Sequence, residues 1–279
     1  LNFDDDYEGI RDEVLRIIES GRQSVLLIGN PGVGKTAIVE GIAQRMVEED
    51  VPAVLFDKRF VSLSVPALLS GAAQTGELEE RLAQLVNEIL RAGNVVLFID
   101  NVHDLVGVTT TGGDAFDLSQ VLTSLLEKHA FLAVTATTPQ DYKRYLEKNG
   151  AFSTVFQSVA IDEMDVQGTI LVLESKAGGV EYKNNVYFSY DAIEKTAILS
   201  HTYIADRYLP DKALNILEEV AVYVRKKKQK QVVVTGEDVA EIISSKTKIP
   251  VTKVGASEKE KLLHLEEEMH KRIIGQEEA

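Results

Sequence analysis

Eight consecutive residues, Gly29-Asn30-Pro31-Gly32-Val33-Gly34-Lys35-Thr36, combine three glycines with an ammonium and a hydroxyl at the spacing GxxxxGK[ST]. The glycines permit backbone conformations that bulkier residues resist, so successive N–H groups converge on the oxygens of a phosphate at the positive end of a helix. In such a cradle Asn30, Pro31 and Val33 line the loop, Lys35 reaches the β- and γ-phosphates, and the Thr36 hydroxyl is a ligand for Mg²⁺. Further along, Val95-Val96-Leu97-Phe98-Ile99-Asp100 is an apolar run that delivers one carboxylate at its end. Ligands collect at the C-terminal ends of strands in open α/β sheets, which makes Asp100 the second Mg²⁺ ligand. Together these residues point to ATP or ADP with Mg²⁺.

Such a site needs strands and helices in alternation. Five apolar runs read as strands: Ser24 to Gly29, Phe60 to Leu63, Val95 to Asp100, Phe131 to Thr137 and Ser158 to Ile161. Most are too uniformly apolar for a wet face, as central parallel strands require. Leu78, Leu82, Leu85 and Ile89 form the stripe of a helix packed on that sheet, ended by Gly93. Beyond Val166 the strands nearly stop. Ala192 to Ile204 and Pro210 to Arg225 read as helices, the second with a stripe of Ala213, Ile216, Leu217, Val220, Ala221 and Val224. The basic run Arg225 to Lys228 complements the end of that helix. Val232 to Val251 reads as a connector, and Leu262 to Arg272 as one more helix.

The 279 residues carry a formal charge of −14, with 44% hydrophobic and 27% charged content. That balance opposes loose binding to nucleic acid, and no apolar run approaches the roughly 18 residues of a membrane span. With no Cys there is neither disulfide nor thiolate metal site, which fits a reducing compartment, and the cytoplasm is the expected location. The five His are scattered without metal-ligand spacing and read as structural. A helicase is disfavoured by the acidity, and no NKxD-type guanine reader appears.

Several segments then resemble the first ATPase module of the Clp family of AAA+ unfoldases and disaggregases. They are Gly29 to Ala43, Gly76 to Leu82, Val95 to Gly107, Ala136 to Tyr145, Asp206 to Ala213 and Ile273 to Ala279. The resemblance implies an α/β fold, a P-loop AAA+ three-layer sandwich with a five-stranded parallel sheet over residues 1–165. A small all-α lid domain over 166–229 follows, then a connector and the beginning of a second module over 230–279. The chain is therefore read as a piece of something longer. The family forms hexameric rings that thread polypeptides, so a homo-oligomer with polypeptide substrates and adaptor or protease partners is expected. Thr138 matches the family's γ-phosphate-sensing position. Leu209, Pro210 and Asp211 match the lid segment near the nucleotide, and also read as an ordinary capped helix start.

Departures from the family fall on working positions. Where the family has a Glu that polarises water, this chain has Asn101. An amide orients water but accepts no proton, and losing general-base help costs ~10²–10⁴ in rate. Thr154 and Val155 stand where the family has a pair of Arg reaching the neighbouring subunit, a loss worth ~10³–10⁵ in phosphoryl transfer. Gln74 replaces the aromatic of the substrate-gripping loop. The expectation is ATP binding with impaired hydrolysis. Two alternatives stand beside it. One is an active unfolding ATPase in which Asn101 positions water and the base comes from Asp104, expected to face solvent, or from another subunit. The other is an interaction scaffold for adaptor proteins that does not depend on nucleotide.

Overall fold

The computed structural model describes residues 5–21, 23–70, 75–106, 108–109, 115–116, 118–127, 131–227 and 232–251. Gln74, Lys228, Leu262 to Arg272 and Ile273 to Ala279, all used above, lie outside the described residues. The chain divides into two compact units between Met164 and Asp165.

The first unit runs α1 (Asp5–Ser20), β1 (Ser24–Gly29), α2 (Lys35–Val47), β2 (Arg59–Leu63), α3 (Val65–Leu69), α4 (Thr75–Ala92), β3 (Val95–Ile99), β4 (Val108–Thr109), β5 (Ala115–Phe116), α5 (Leu118–Leu126), β6 (Leu132–Thr137), α6 (Pro139–Asp141), α7 (Gly150–Val155) and β7 (Phe156–Ile161). Five strands form one parallel sheet in the order β2-β3-β6-β1-β7. The three inner strands are those read as uniformly apolar: β3 is buried at every position, and β1 and β6 at all but one. The edge strand β2, begun one residue earlier than the apolar run suggests, is mostly exposed, as an edge tolerates. Asp100 falls just beyond β3, because a carboxylate is solvated more cheaply past the strand end than within it. The expected stripe on α4 is buried at Leu78, Leu82 and Ile89, joined by Val86. Gly93 ends that helix with φ 68°, its N–H donating to Ile89 O at 3.0 Å. Beneath these elements lies a core including Leu26, Leu82, Leu97, Ile99, Leu122 and Phe152.

The second unit opens with α8 (Val166–Asn184), capped by the Asp165 carboxylate, which accepts from Gly168 N–H at 2.7 Å. That cap places Asp165 with the helical unit it starts. β8 (Val186–Phe188), α9 (Tyr190–Tyr203), α10 (Asp211–Lys227), β9 (Val232–Val234) and α11 (Gly236–Thr247) complete it. The six stripe residues of α10 are all buried at 1% exposure or less. This helical lid carries one addition, a two-stranded parallel ribbon pairing Val186 with Val232 and Phe188 with Val234. Val232 to Val251, expected to be a connector, packs into the same core as α9 and α10 through Val232, Val234, Val239, Ile243 and Val251. Alternation in three residues and a single helical face are too short a signal to separate a domain's last layer from a linker. A capping box between Thr235 and Asp238 starts α11, and Gly236 N–H donates to Asp191 Oδ2 at 3.1 Å, tying α11 to α9.

Leu82 is fully buried between α4 and the sheet. Leu82→Ala is expected to cost about 2–5 kcal/mol, read as a lower urea midpoint for the transition of the first unit.

Candidate functional site

The phosphate loop is built by the end of β1, five linking residues and the start of α2. Gly32 and Gly34 hold φ of 86° and 97°, in the left-handed region. Gly34 is the N-cap of α2 and offers no side chain, so nothing within the loop covers the helix end. The first ladder bond of α2 runs from Ile38 N–H to Gly34 O at 3.0 Å, which leaves the amides of Lys35, Thr36 and Ala37 ahead of the ladder. At the other end, a Cβ on Gly29 would lie 2.8 Å from Ile161 O and from the Val33 side chain. Tyr7, from α1, is a further part that sequence reading passed over. Its buried hydroxyl donates to Val33 O at 2.6 Å, and a Cβ on Gly34 would run into that hydroxyl. The loop is thus braced from outside by an aromatic residue that no motif marks.

Lys35 is 9% exposed, and its Nζ donates to Gly29 O at 2.7 Å and Asn30 O at 3.0 Å. Burial pushes its pKa below the ordinary lysine value, and the nearby Asp100 carboxylate opposes that shift. Thr36 and Asp100 are both exposed. Asp100 Oδ1 accepts from Asn101 N–H at 2.9 Å. Asn101 itself sits at φ 51° and ψ 51°, a left-handed conformation that Asn tolerates better than most residues. Its carbonyl accepts from Asp104 N–H at 2.9 Å, closing the turn Val102–Leu105. Among the described residues no group of three or more His, Cys, Asp or Glu could hold a metal ion. A divalent ion here would have to draw ligands from a nucleotide as well as from Thr36 and Asp100.

Thr138 sits just past β6, at the start of α6. Thr138 caps α6: its hydroxyl accepts from Asp141 N–H at 3.1 Å and donates to Asp141 Oδ2 at 2.6 Å. The same Asp141 Oδ2 lies 3.3 Å from His103 Nε2, and His103 Nδ1 lies 3.0 Å from the Thr137 hydroxyl. His103, read as one of five unrelated structural histidines, therefore bridges the turn after Asp100 and the end of β6. Only the sheet order reveals this, since β3 and β6 are neighbours in space and not in sequence. Asp104 is exposed, as expected, with Oδ1 at 3.6 Å from His103 Nε2.

Thr154 donates its hydroxyl to Gly150 O at 2.6 Å, and Val155 is 6% exposed within the core. Neither supplies a cation. In the second unit Leu209 is fully buried, Pro210 follows a cis peptide bond, and the Asp211 carboxylate accepts from Asn215 Nδ2 at 3.0 Å.

Two family descriptions cover most of the chain in tandem. The ATPase family associated with various cellular activities, AAA, matches residues 25–158, and the AAA lid domain matches residues 165–271. The chain belongs to the AAA ATPase family. Within it, this AAA module is similar to ClpC, the ATP-binding subunit of ATP-dependent Clp protease of Staphylococcus aureus, at 34% identity over 96% of the chain and 40% of that protein. It is 33% identical to the negative regulator of genetic competence ClpC/MecB of Bacillus subtilis, over 97% of the chain and 41% of that protein. The solved complex of S. cerevisiae Hsp104 with ADP superposes with a TM-score of 0.81 at 34% identity, covering 95% of this chain and 46% of that one. The Hsp104:casein complex in an extended conformation gives 0.79 at 32% identity, covering 96% and 46%. The chain spans 40% of the length of the first ClpC relative. The chain is homologous to the first AAA module of ClpC and Hsp104.

The lowered pKa of Lys35 makes a signed prediction. Its charged form is disfavoured in the fold, so the cost to stability is full below the lowered folded pKa and fades as pH rises from there toward the ordinary value of 10.5. A polyphosphate restores the charge. Nucleotide binding is therefore expected to take up protons at pH just below 10.5, seen by calorimetry in buffers of different ionisation enthalpy, and to lose that uptake in Lys35→Met.

Proposed function

We propose that this AAA module binds MgATP and retains it with little or no hydrolysis, as the nucleotide-holding part of a Clp-type homo-oligomeric ring that acts on polypeptides. In this reading Gly29 to Gly34 surround the phosphates, Lys35 neutralises the β- and γ-phosphates, and Thr36 with Asp100 would hold Mg²⁺, whose chemistry is to spread phosphate charge. The observation that carries the proposal is the pairing of a complete cradle with a disabled neighbour. A buried ammonium, an uncapped helix end and an exposed carboxylate fit a triphosphate, while the residue after Asp100 is an amide.

Three further observations favour retention over turnover. Asn101 offers an amide, which orients water but accepts no proton. The Asp104 carboxylate is exposed and lies within reach of His103, which disfavours it as a replacement base. Thr154 is engaged with its own helix and Val155 is buried, so neither substitutes for an arginine reaching across an interface. Support for nucleotide and polypeptide as ligands comes from relatives whose names and titles carry ATP-dependent protease, ADP and casein. Among the described residues no helix is long and apolar enough to cross a membrane, and the net charge of −14 leaves nucleic acid without an electrostatic drive.

The test is the chemical state of the nucleotide. Purified protein loaded with ATP and separated from free nucleotide is expected to yield intact ATP, with turnover at least about 10²-fold below that of a module with its base in place. Release of ADP at ordinary rates would sink the proposal. Lys35→Ala is expected to weaken ATP binding at least about tenfold, since it removes a charge-assisted hydrogen bond.

A further inference from the structure

The nucleotide reading gives Thr138 the task of sensing the γ-phosphate, yet the Thr138 hydroxyl proton is held by Asp141 Oδ2 at 2.6 Å. A hydroxyl has one proton. To donate it to a phosphate oxygen, Thr138 must take it from Asp141, leaving a partly buried carboxylate oxygen short of a donor. The backbone bond from Asp141 N–H to Thr138 Oγ1, at 3.1 Å, persists through such a rotation because Oγ1 remains the acceptor. What decides the cost is whether Asp141 Oδ2 has a second donor.

His103 supplies it. Its Nε2 faces Asp141 Oδ2 at 3.3 Å and Asp104 Oδ1 at 3.6 Å, two groups that accept and do not donate when ionised. Its Nδ1 faces the Thr137 hydroxyl at 3.0 Å, which can donate. A neutral imidazole has one N–H and one bare nitrogen, and this surrounding selects the tautomer with hydrogen on Nε2. The protons are then arranged with Thr137 O–H toward Nδ1, Nε2–H facing the Asp141 and Asp104 carboxylates, and Thr138 O–H on Asp141 until a phosphate competes for it. The ring is held for the task, 15% exposed in its side chain and stacked on Tyr145 at 6.2 Å between centroids and 10° between planes, with Arg144 over the far ring at 5.1 Å.

We propose that His103 is a positioning residue that frees the Thr138 hydroxyl to recognise the γ-phosphate, by donating to the Asp141 oxygen that otherwise holds it. Because His103 lies in the turn closed by Asn101, the same imidazole ties the Asp100 loop to the sensing strand. The inference rests on the proposed nucleotide site and deepens it.

The experiment compares ATP and ADP affinities, each with Mg²⁺, by calorimetry. Loss of the Nε2 donor in His103→Ala, or of the tautomer-setting hydroxyl in Thr137→Val, is expected to lower the ratio of ATP to ADP affinity about threefold to tenfold, the scale of one hydrogen bond. The double variant is expected to lose no more than either single one, and His103→Gln, whose amide still donates, to recover most of the ratio. In a Thr138→Val background, His103→Ala is expected to leave the already reduced ratio where it stands. Melting without nucleotide establishes that each variant folds. A fall in ATP and ADP affinity together, or a further change in ratio without the Thr138 hydroxyl, would overturn the relay alone. Wild-type protein that binds neither nucleotide would overturn the site itself.

Discussion

Parallel pairing of β1, β3 and β6 is the constraint on which the rest of the first unit depends. Strands that run the same way end on the same edge, so residues far apart in sequence meet there. Ile28 is level with Thr137, and Ile99 with Thr135, which sets the phosphate loop, the Asp100 turn and the Thr137–Thr138 strand end side by side. The pairing is possible because these strands are apolar on both faces and are covered by helices. An antiparallel arrangement of the same runs would scatter the three segments to opposite edges.

On that edge the groups are held by one another. Lys35 turns back on the carbonyls of Gly29 and Asn30, Tyr7 clamps Val33, and Asp100 binds the amide of its neighbour. A buried ammonium is costly unless it is hydrogen-bonded, and here two carbonyl oxygens and the field of Asp100 meet part of that cost. On the proposed reading, a phosphate in the loop would exchange those carbonyls for formal negative charge. Asn101 belongs to the same economy of conformation. A left-handed residue turns the chain from β3 into the 3-10 turn that carries His103, a conformation in which Asn is enriched.

The second unit is stabilised by different means. Its helices are fastened at their ends by Asp165, Ser189 and the Thr235–Asp238 box, and its core closes only when the last strand and helix are added. Val186 pairs with Val232 across the length of α9 and α10, so what looks like a trailing connector is the element that completes the ribbon. Tyr187 and Val233, opposite each other in register, are the outward-facing members of that alternation.

The amino-acid order by itself determined the phosphate loop, the carboxylate at the end of a buried strand, the five-strand rhythm and the faces of α4 and α10, because glycine spacing, apolar runs and helical periodicity are local signals. Even the departures at Asn101, Thr154 and Val155 were legible, since each is a matter of which atoms are present. Tertiary structure alone decided which residues share an edge. Tyr7 reaches the loop from a helix that no motif marks, and His103 meets Thr137 and Asp141 only because β3 and β6 are neighbours. Thr138 likewise owes its proton's direction to a carboxylate three residues on, which the turn of α6 brings back against it. Local chemistry is written in residue type and spacing, whereas the partner of a side chain across a sheet is set by strand order, which depends on long-range packing.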